Sequence, residues 1–227
     1  MIQEPHILDN AVWAALNGPH ASIAEVRGLA RRYPAEISLF GAIADQDDPQ
    51  SWKDLAELIG PEGTVVLTGK RVNVPESWEI MTGGTGKQMT GENLIVQRDE
   101  ELIELGINDV PEMLDLISLT QPGPFSPRTV ELGGYLGLRI GGKLVAMAGR
   151  RMHPPGWIEI SAVCTDPEYQ GKGLGGRLVK AVAAEIIAEG DVPFLHVSEL
   201  KDHAIRLYET LGFRIRIQST FNVIRKI

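Results

Sequence analysis

Residues 166–177 constrain this chain more than any other stretch, because they set a glycine-dense loop between a strand and a helix. Upstream, Ile158, Ile160, Ala162 and Cys164 alternate with Glu159 and Ser161, the period-2 pattern of a strand over Trp157–Thr165. Downstream, Leu174, Leu178, Val182 and Ile186 recur at helical spacing until Gly190, which predicts a helix with one buried stripe. Such a loop leaves several main-chain N–H groups at the positive end of a helix. That is an anion site, and phosphate is its usual guest. Gly171, Gly173 and Gly175 lack a Cβ, so a pyrophosphate can lie against the backbone.

Three phosphate-loop patterns compete for these residues. A Walker loop ends in Gly-Lys followed by Ser or Thr, and no such ending is present here. Gly171, Gly173 and Gly176 fit a dinucleotide fingerprint, but its acidic ribose partner, about 20 residues on, would fall near a short late strand. Gln170, Gly173 and Gly175 fit Gln/Arg-x-x-Gly-x-Gly/Ala after a strand and an Asp-Pro turn. That pattern resembles the coenzyme A pyrophosphate loop of the GNAT superfamily of N-acetyltransferases. Taken alone, the loop is also explained as a tight turn with no ligand. A second block joins it: Ala204, Leu207, Tyr208, Gly212 and Phe213 resemble the other GNAT signature. The residue pattern agrees, since Ala204, Ile205, Tyr208 and Leu211 share a helical face and Gly212 supplies a left-handed cap.

With 227 residues, 43% of them hydrophobic, the chain can build one large domain or two small ones. No apolar run approaches a membrane span, and residues 1–6 lack the basic start and apolar stretch of a secretion signal. A single cysteine, Cys164, permits no internal disulfide and suits a cytoplasmic location. The net charge of −8 argues against general binding to nucleic acid or to an anionic membrane. It leaves room for a local basic patch at Lys172, Arg177 and Lys180, which a phosphorylated cofactor would use and which a solvated helix face would equally explain.

Residues 1–91 read as a separate N-terminal α/β module. A short helix over Ala11–Leu16 is followed by a capping-box pattern, Ser22 with Glu25, that predicts a second helix through Val26 and Ala30. Residues 37–43 read as strand, Ser51 and Asp54 as the start of a helix carrying Leu55 and Ile59, and residues 65–68 and 78–82 as strands. Residues 83–87 resemble a nucleotide loop only superficially, because Gln88 follows Lys87; they predict a flexible hairpin or loop.

From residue 92 the order is strand, helix, three strands, helix, strand, helix, two strands. The first strand lies at 94–97 or 101–105, and a helix follows from Asp109 and Glu112. Residues 121–127 hold three prolines and cannot be regular, so Phe125 is either a substrate wall or part of a plain connector. A hairpin at 134–140 and 144–152 precedes the central strand. Residues 194–197 form the next strand, 202–211 the signature helix, and 214–217 with 220–225 the two closing strands. This is the order of the GNAT fold, a mixed α/β (α+β) sheet with helices on both faces. The resemblance covers residues 92–227 and is strongest over 132–216. Residues 142–149, 159–165 and 193–197 look like the branch allied to glycine N-acyltransferases. Residues 1–91 carry no comparable motif and could be a degenerate second copy, a sheet extension or a partner surface.

The resemblance implies acetyl-CoA as co-substrate and no metal. The amides of Gln170, Gly171, Lys172, Gly173, Leu174, Gly175 and Gly176 would hold the pyrophosphate, and main-chain groups of Val163, Cys164 and Thr165 would pair with the pantetheine arm. One of those N–H groups would face the developing oxyanion. Tyr208 is the candidate general acid toward the departing thiolate. Glu159 is the candidate base, with Glu131 and His196 as rivals, and Cys164 is the one residue open to a ping-pong reading. One position departs from the family, which usually has asparagine where this chain has Lys201. The expectation is an N-acetyltransferase acting on a primary amine of a small molecule or peptide in a ternary complex. The alternative is a non-catalytic coenzyme A-binding regulatory protein, and a longer acyl donor fits the same fold. A homodimer is compatible with the sequence.

Overall fold

A computed structural model describes residues 6–227; residues 1–5, which carry most of the reading of a non-secretory start, lie outside that range. The first helix, α1 (Ala11–Leu16), has the expected bounds and is capped by Asn10, which accepts from the Trp13 N–H at 3.4 Å. The helix expected after Ser22 is absent. In its place stand two short strands, β1 (Glu25–Arg27) and β2 (Ala30–Arg32), paired antiparallel. Between them Gly28 takes φ 46°, and the Asp54 carboxylate accepts the Leu29 N–H at 2.7 Å. A turn pinned from another element thus overrides a local helix signal. A third strand, β3 (Gly41–Ile43), completes this small sheet and is shorter than the expected 37–43.

Helix α2 (Pro49–Ile59) starts from Asp48 rather than from Ser51 and Asp54, with Pro49 in the first turn, where its missing N–H costs nothing. Two longer strands follow, β4 (Thr64–Gly69) and β5 (Trp78–Thr90). The glycine-rich residues 83–87 are part of β5 and not a flexible hairpin or loop. A Cβ on Gly83 would lie 2.2 Å from the Asn222 side chain, and one on Gly86 2.5 Å from the Val197 carbonyl. Close neighbours demand the glycines there.

The remaining elements are β6 (Ile103–Leu105), α3 (Val110–Thr120), β7 (Tyr135–Ile140), β8 (Lys143–Arg150), β9 (Trp157–Thr165), α4 (Leu174–Ala188), β10 (Val192–Ser198), α5 (Asp202–Thr210) and β11 (Arg214–Lys226). The two closing strands expected from sequence are one strand, β11, with register shifts at Ile215/Ile217 and Val223/Ile224. Among the described residues the large sheet has eight strands in the order β4-β11-β5-β10-β9-β8-β7-β6. All neighbours are antiparallel except β9 and β10, which are parallel and joined through α4. The mixed sheet with helices on both faces is the expected fold. Strands β4 and β5 come from the first ninety-one residues, and β5 lies between β10 and β11.

Each face of the sheet is buried by a different set of elements. Leu178, Val182 and Ile186 of α4 pack on Ile158, Ile160, Leu195 and Val197, with Tyr208 and Leu211 beside them. On the other face, Leu8, Tyr33 and Phe40 cover Phe194 and Met152, and Met113 and Leu116 of α3 cover Met147 and Cys164. Among the described residues no helix is long and apolar enough to cross a membrane.

Candidate active site

Strands β9 and β10 pair over three positions, ending at Glu159 opposite Phe194, and their pairing goes no further among the described residues. On its other side β9 breaks register with β8 between Met147/Cys164 and Gly149/Ser161, where Ala162 takes φ 52°. A bulge of this kind re-aims a strand and loosens its ladder. The second half of β9, with Val163, Cys164 and Thr165, therefore runs beside a wedge in the sheet with one main-chain edge unclaimed by β10. An extended ligand can pair with such an edge as an added strand would.

The glycine loop opens at the end of the same strand. Asp166 is buried and accepts from the Glu168 N–H at 2.9 Å and from Lys143 at 2.7 Å, which fixes the turn out of β9. Gly171 and Gly173 take φ 76° and 74°, and a Cβ on either would meet nothing within 4 Å. The helical ladder of α4 begins with the Arg177 N–H donating to the Gly173 carbonyl at 3.1 Å. The amides of Gly171, Lys172, Gly173, Leu174, Gly175 and Gly176 have no acceptor among the described residues. They stand at the positive end of a fifteen-residue helix, with Gly171, Lys172 and Gly173 exposed. Gln170 turns its side-chain amide back to the Thr165 carbonyl at 3.3 Å.

The expected basic patch is smaller than its sequence suggests. Arg177 is taken up by Asp99, at 2.7 and 3.0 Å, and by Glu101 at 2.6 Å. Lys172 stays close to the loop, its ammonium 4.7 Å from the centre of the Tyr169 ring.

Tyr208, on α5, is buried in the cluster that Val163 of β9 borders. It is 8% exposed and meets Phe213 edge to face at 5.9 Å. Burial, with the nearby Cys164 thiol, pushes its phenol up to about 12. Cys164 is itself buried in the cluster under α3, and burial pushes its thiol up to about 11 against smaller opposing contributions from Thr120, Met147 and Lys201. A neutral buried thiol is a poor nucleophile, so the surroundings of Cys164 lend a ping-pong route no support. Lys201 precedes α5 and extends its ammonium to the Gln121 carbonyl at 3.5 Å.

Glu159, expected as the base, is placed where it cannot meet an amine. It is wholly out of solvent, and both its oxygens are bound to Arg151 at 2.7 Å. Burial alone would raise its carboxyl, but the Arg151 charge and hydrogen bonds, helped by His196, hold it down at about 2. A carboxylate so stabilised has little tendency to take a proton. His196 fares no better as a base: Nδ1 lies 2.7 Å from Glu159, and Nε2 lies 3.1 Å from the Gln88 amide nitrogen. Glu131 sits on the surface in an ion pair with Arg128.

The network continues through Gln88, which accepts from Arg216 at 2.5 Å, to Asp9, 2.6 Å from the same guanidinium. None of Arg151, Gln88, Arg216 or Asp9 is marked by spacing in the sequence, because they come from separate elements. The one available signal is the pair Arg150 and Arg151, two charges closing the apolar run of residues 144–149.

Residues 135–222 match the family model described as FR47-like protein. A crystal structure of a protein from Novosphingobium aromaticivorans DSM 12444, described as belonging to the GNAT family, is 37% identical to this chain. It covers 98% of this chain and 100% of its own, with a TM-score of 0.90. The N-alpha-acetyltransferase RimI of Mycobacterium tuberculosis (strain ATCC 25618 / H37Rv) is 40% identical over 83 residues, 35% of this chain and 51% of that protein. The spermine/spermidine N(1)-acetyltransferase of Bacillus subtilis (strain 168) is 31% identical over 96 residues, 38% of this chain and 63% of that protein. The chain thus spans about half to just under two thirds of the length of these curated relatives.

Proposed function

The chain belongs to the GNAT family of acetyltransferases, and from that premise we propose that it moves an acetyl group from acetyl-CoA to a primary amine of a small molecule or peptide. The observation that carries this reading is the row of six unclaimed amides at the start of α4, beside the unclaimed edge of β9. A diphosphate needs several donors and little side-chain bulk, and four of the six residues, Gly171, Gly173, Gly175 and Gly176, carry no Cβ. The pantetheine arm would then lie along Val163, Cys164 and Thr165, and a main-chain N–H of that strand would meet the oxyanion as charge develops.

Attack is direct within a ternary complex. With Glu159 and His196 already committed to each other and to Arg151, the amine sheds its proton to solvent before it reaches the thioester. The Glu159 group acts instead as an anchor, holding β9 and β10 at the point where they part. Tyr208 donates toward the departing sulfur. Within the family we place the chain beside the glycine N-acyltransferase branch, on the runs at residues 142–149 and 193–197. Residues 92–227 would be the transferase unit, and residues 1–91 a module that completes its sheet. The relatives that act on alpha-amines and on polyamines suggest the two acceptor classes to try first.

Release of coenzyme A thiol from acetyl-CoA, measured with an alanyl peptide and with spermidine, tests the reading. Turnover with either is expected, and Tyr208→Phe should lower it on the order of 100-fold while coenzyme A still binds. Binding without release across an amine panel would favour the regulatory alternative. Unchanged turnover in the variant would remove Tyr208 as the donor to the departing sulfur.

A further inference from the structure

Lys201 stands where the family usually carries asparagine, and its surroundings give that change a use. It lies at the N-cap of α5 with no capping bond from its own side chain. Tyr208 is two turns further along the same helix, so the two side chains leave α5 on nearly the same side. Tyr208 lies in the cluster that Val163 of β9 borders, and the next residue, Cys164, lies under α3, to whose C-terminal end the ammonium reaches. From a third side the ammonium is steadied by the C-terminal end of α3, through the Gln121 carbonyl at 3.5 Å. A helix C-terminus is a favourable seat for a cation. A positive charge and a phenol therefore flank the far end of β9, where the sheet has opened.

We propose that the Lys201 ammonium stabilises the coenzyme A thiolate as the thioester breaks, with Tyr208 as hydrogen-bond donor to the same sulfur. This rests on the acetyl-CoA reading above and assigns the site its leaving-group charge. The chemistry asks for such a group. An ordinary thiol titrates at about 8.5, so full proton transfer from a phenol at about 12 is unfavourable by roughly three-thousandfold. A cation lets the sulfur depart before it is protonated. The amine nitrogen bonds to the carbonyl carbon, the carbon–sulfur bond breaks, and the sulfur leaves with the electron pair. The proton lost by the amine goes to solvent, which later protonates the thiolate. Other charged groups nearby are otherwise placed: Glu199, at the end of β10, is bound to Thr85 and to Gln218 at 3.0 Å, and Asp202 and His203 lie on the exposed side of α5.

The test uses the full chain with coenzyme A itself, following thiolate absorbance in the ultraviolet against pH. In the wild-type complex the bound thiol should titrate about one unit below free coenzyme A, a tenfold gain in thiolate. Lys201→Asn, a residue favoured at an N-cap and so compatible with the fold, should abolish that shift, and Lys201→Met should do the same. Lys201→Arg should retain most of it. Equal midpoints in wild type and Lys201→Asn, with calorimetry showing coenzyme A bound to both, overturn the proposal and leave the acetyl-CoA reading standing. No binding of coenzyme A to any of these proteins sinks both.

Discussion

Glu159 and Arg151 meet in a closed two-point contact, Oε2 to Nε and Oε1 to Nη2 at 2.7 Å each, on the last residue of β9 that still pairs with β10. His196 of β10 binds the same carboxylate from across the sheet, so a single acidic group ties both strands at the apex of the wedge. An ion pair this deep is weak evidence for stability, because desolvation of two charges opposes their attraction. Its value here is positional: it fixes where the two strands separate.

Removing one partner should nevertheless be costly. Glu159→Gln leaves the Arg151 guanidinium buried without a counter-charge, and a loss of about 3–5 kcal/mol in urea unfolding is expected. The double variant Glu159→Leu with Arg151→Met should lose much less, since no charge is then stranded. Equal losses in both proteins would show that shape, not charge, sets the cost.

The same pair gives the fold an acid limit. The Glu159 carboxyl is held at about 2 in the folded chain against an ordinary value of 4.5. A depressed carboxyl contributes stability that is complete above its unfolded value and fades as pH falls toward its folded one. Stability should therefore decline between about pH 4.5 and 2, and the slope should flatten in the Leu/Met double variant. Chemical unfolding at stepped pH measures this; parallel profiles for the two proteins would remove Glu159 as the cause.

Gly175 separates folding from ligand binding. A Cβ there would sit 3.9 Å from Thr165 Oγ1 and from Val163 Cγ1, ordinary contact distances, so the helix accepts alanine. Gly175→Ala should raise stability by about 0.5–1 kcal/mol. The added methyl, however, projects between the first turn of α4 and the end of β9, where the cofactor arm is proposed to pass. Coenzyme A affinity should drop on the order of tenfold, about 1.4 kcal/mol, by calorimetry. A more stable protein with unchanged affinity would move the cofactor to another part of the surface.

What the sequence made legible follows from the range of the forces involved. Strand β9 and helix α1 have the bounds read from sequence because alternation, caps and glycine stops are local signals. The turn into α4 and the helix that carries Tyr208 were legible for the same reason, each pattern being contained in a few residues. Residues 83–87 were misread because the need for glycine there arises from Asn222 and Val197, distant in the chain. The hairpin at Gly28 was misread as helix because its turn is pinned by Asp54. Glu159 was read as a base because nothing near it in sequence announces Arg151, His196 and Gln88 as its surroundings. Buried polar networks are assembled by tertiary structure, and a single chain carries no spacing rule for them.

The placement of β5 makes the last prediction the most direct. This strand pairs with β10 over residues 86–90 and with β11 over most of its length. A chain cut to residues 92–227 would expose the open edges of both partners at once, together with the apolar faces of Phe194 and Ile224 that residues 1–91 cover. Unpaired central strands are not tolerated in water, where they aggregate or find other edges. The truncated chain should therefore lack a cooperative thermal transition and fail to bind coenzyme A, although it retains the loop, Tyr208 and the whole of β9. Adding residues 1–91 as a separate polypeptide should restore binding if the module acts by completing the sheet. A truncated chain that melts cooperatively and binds coenzyme A by itself would show that α4 and α5 hold the wedge open without β5.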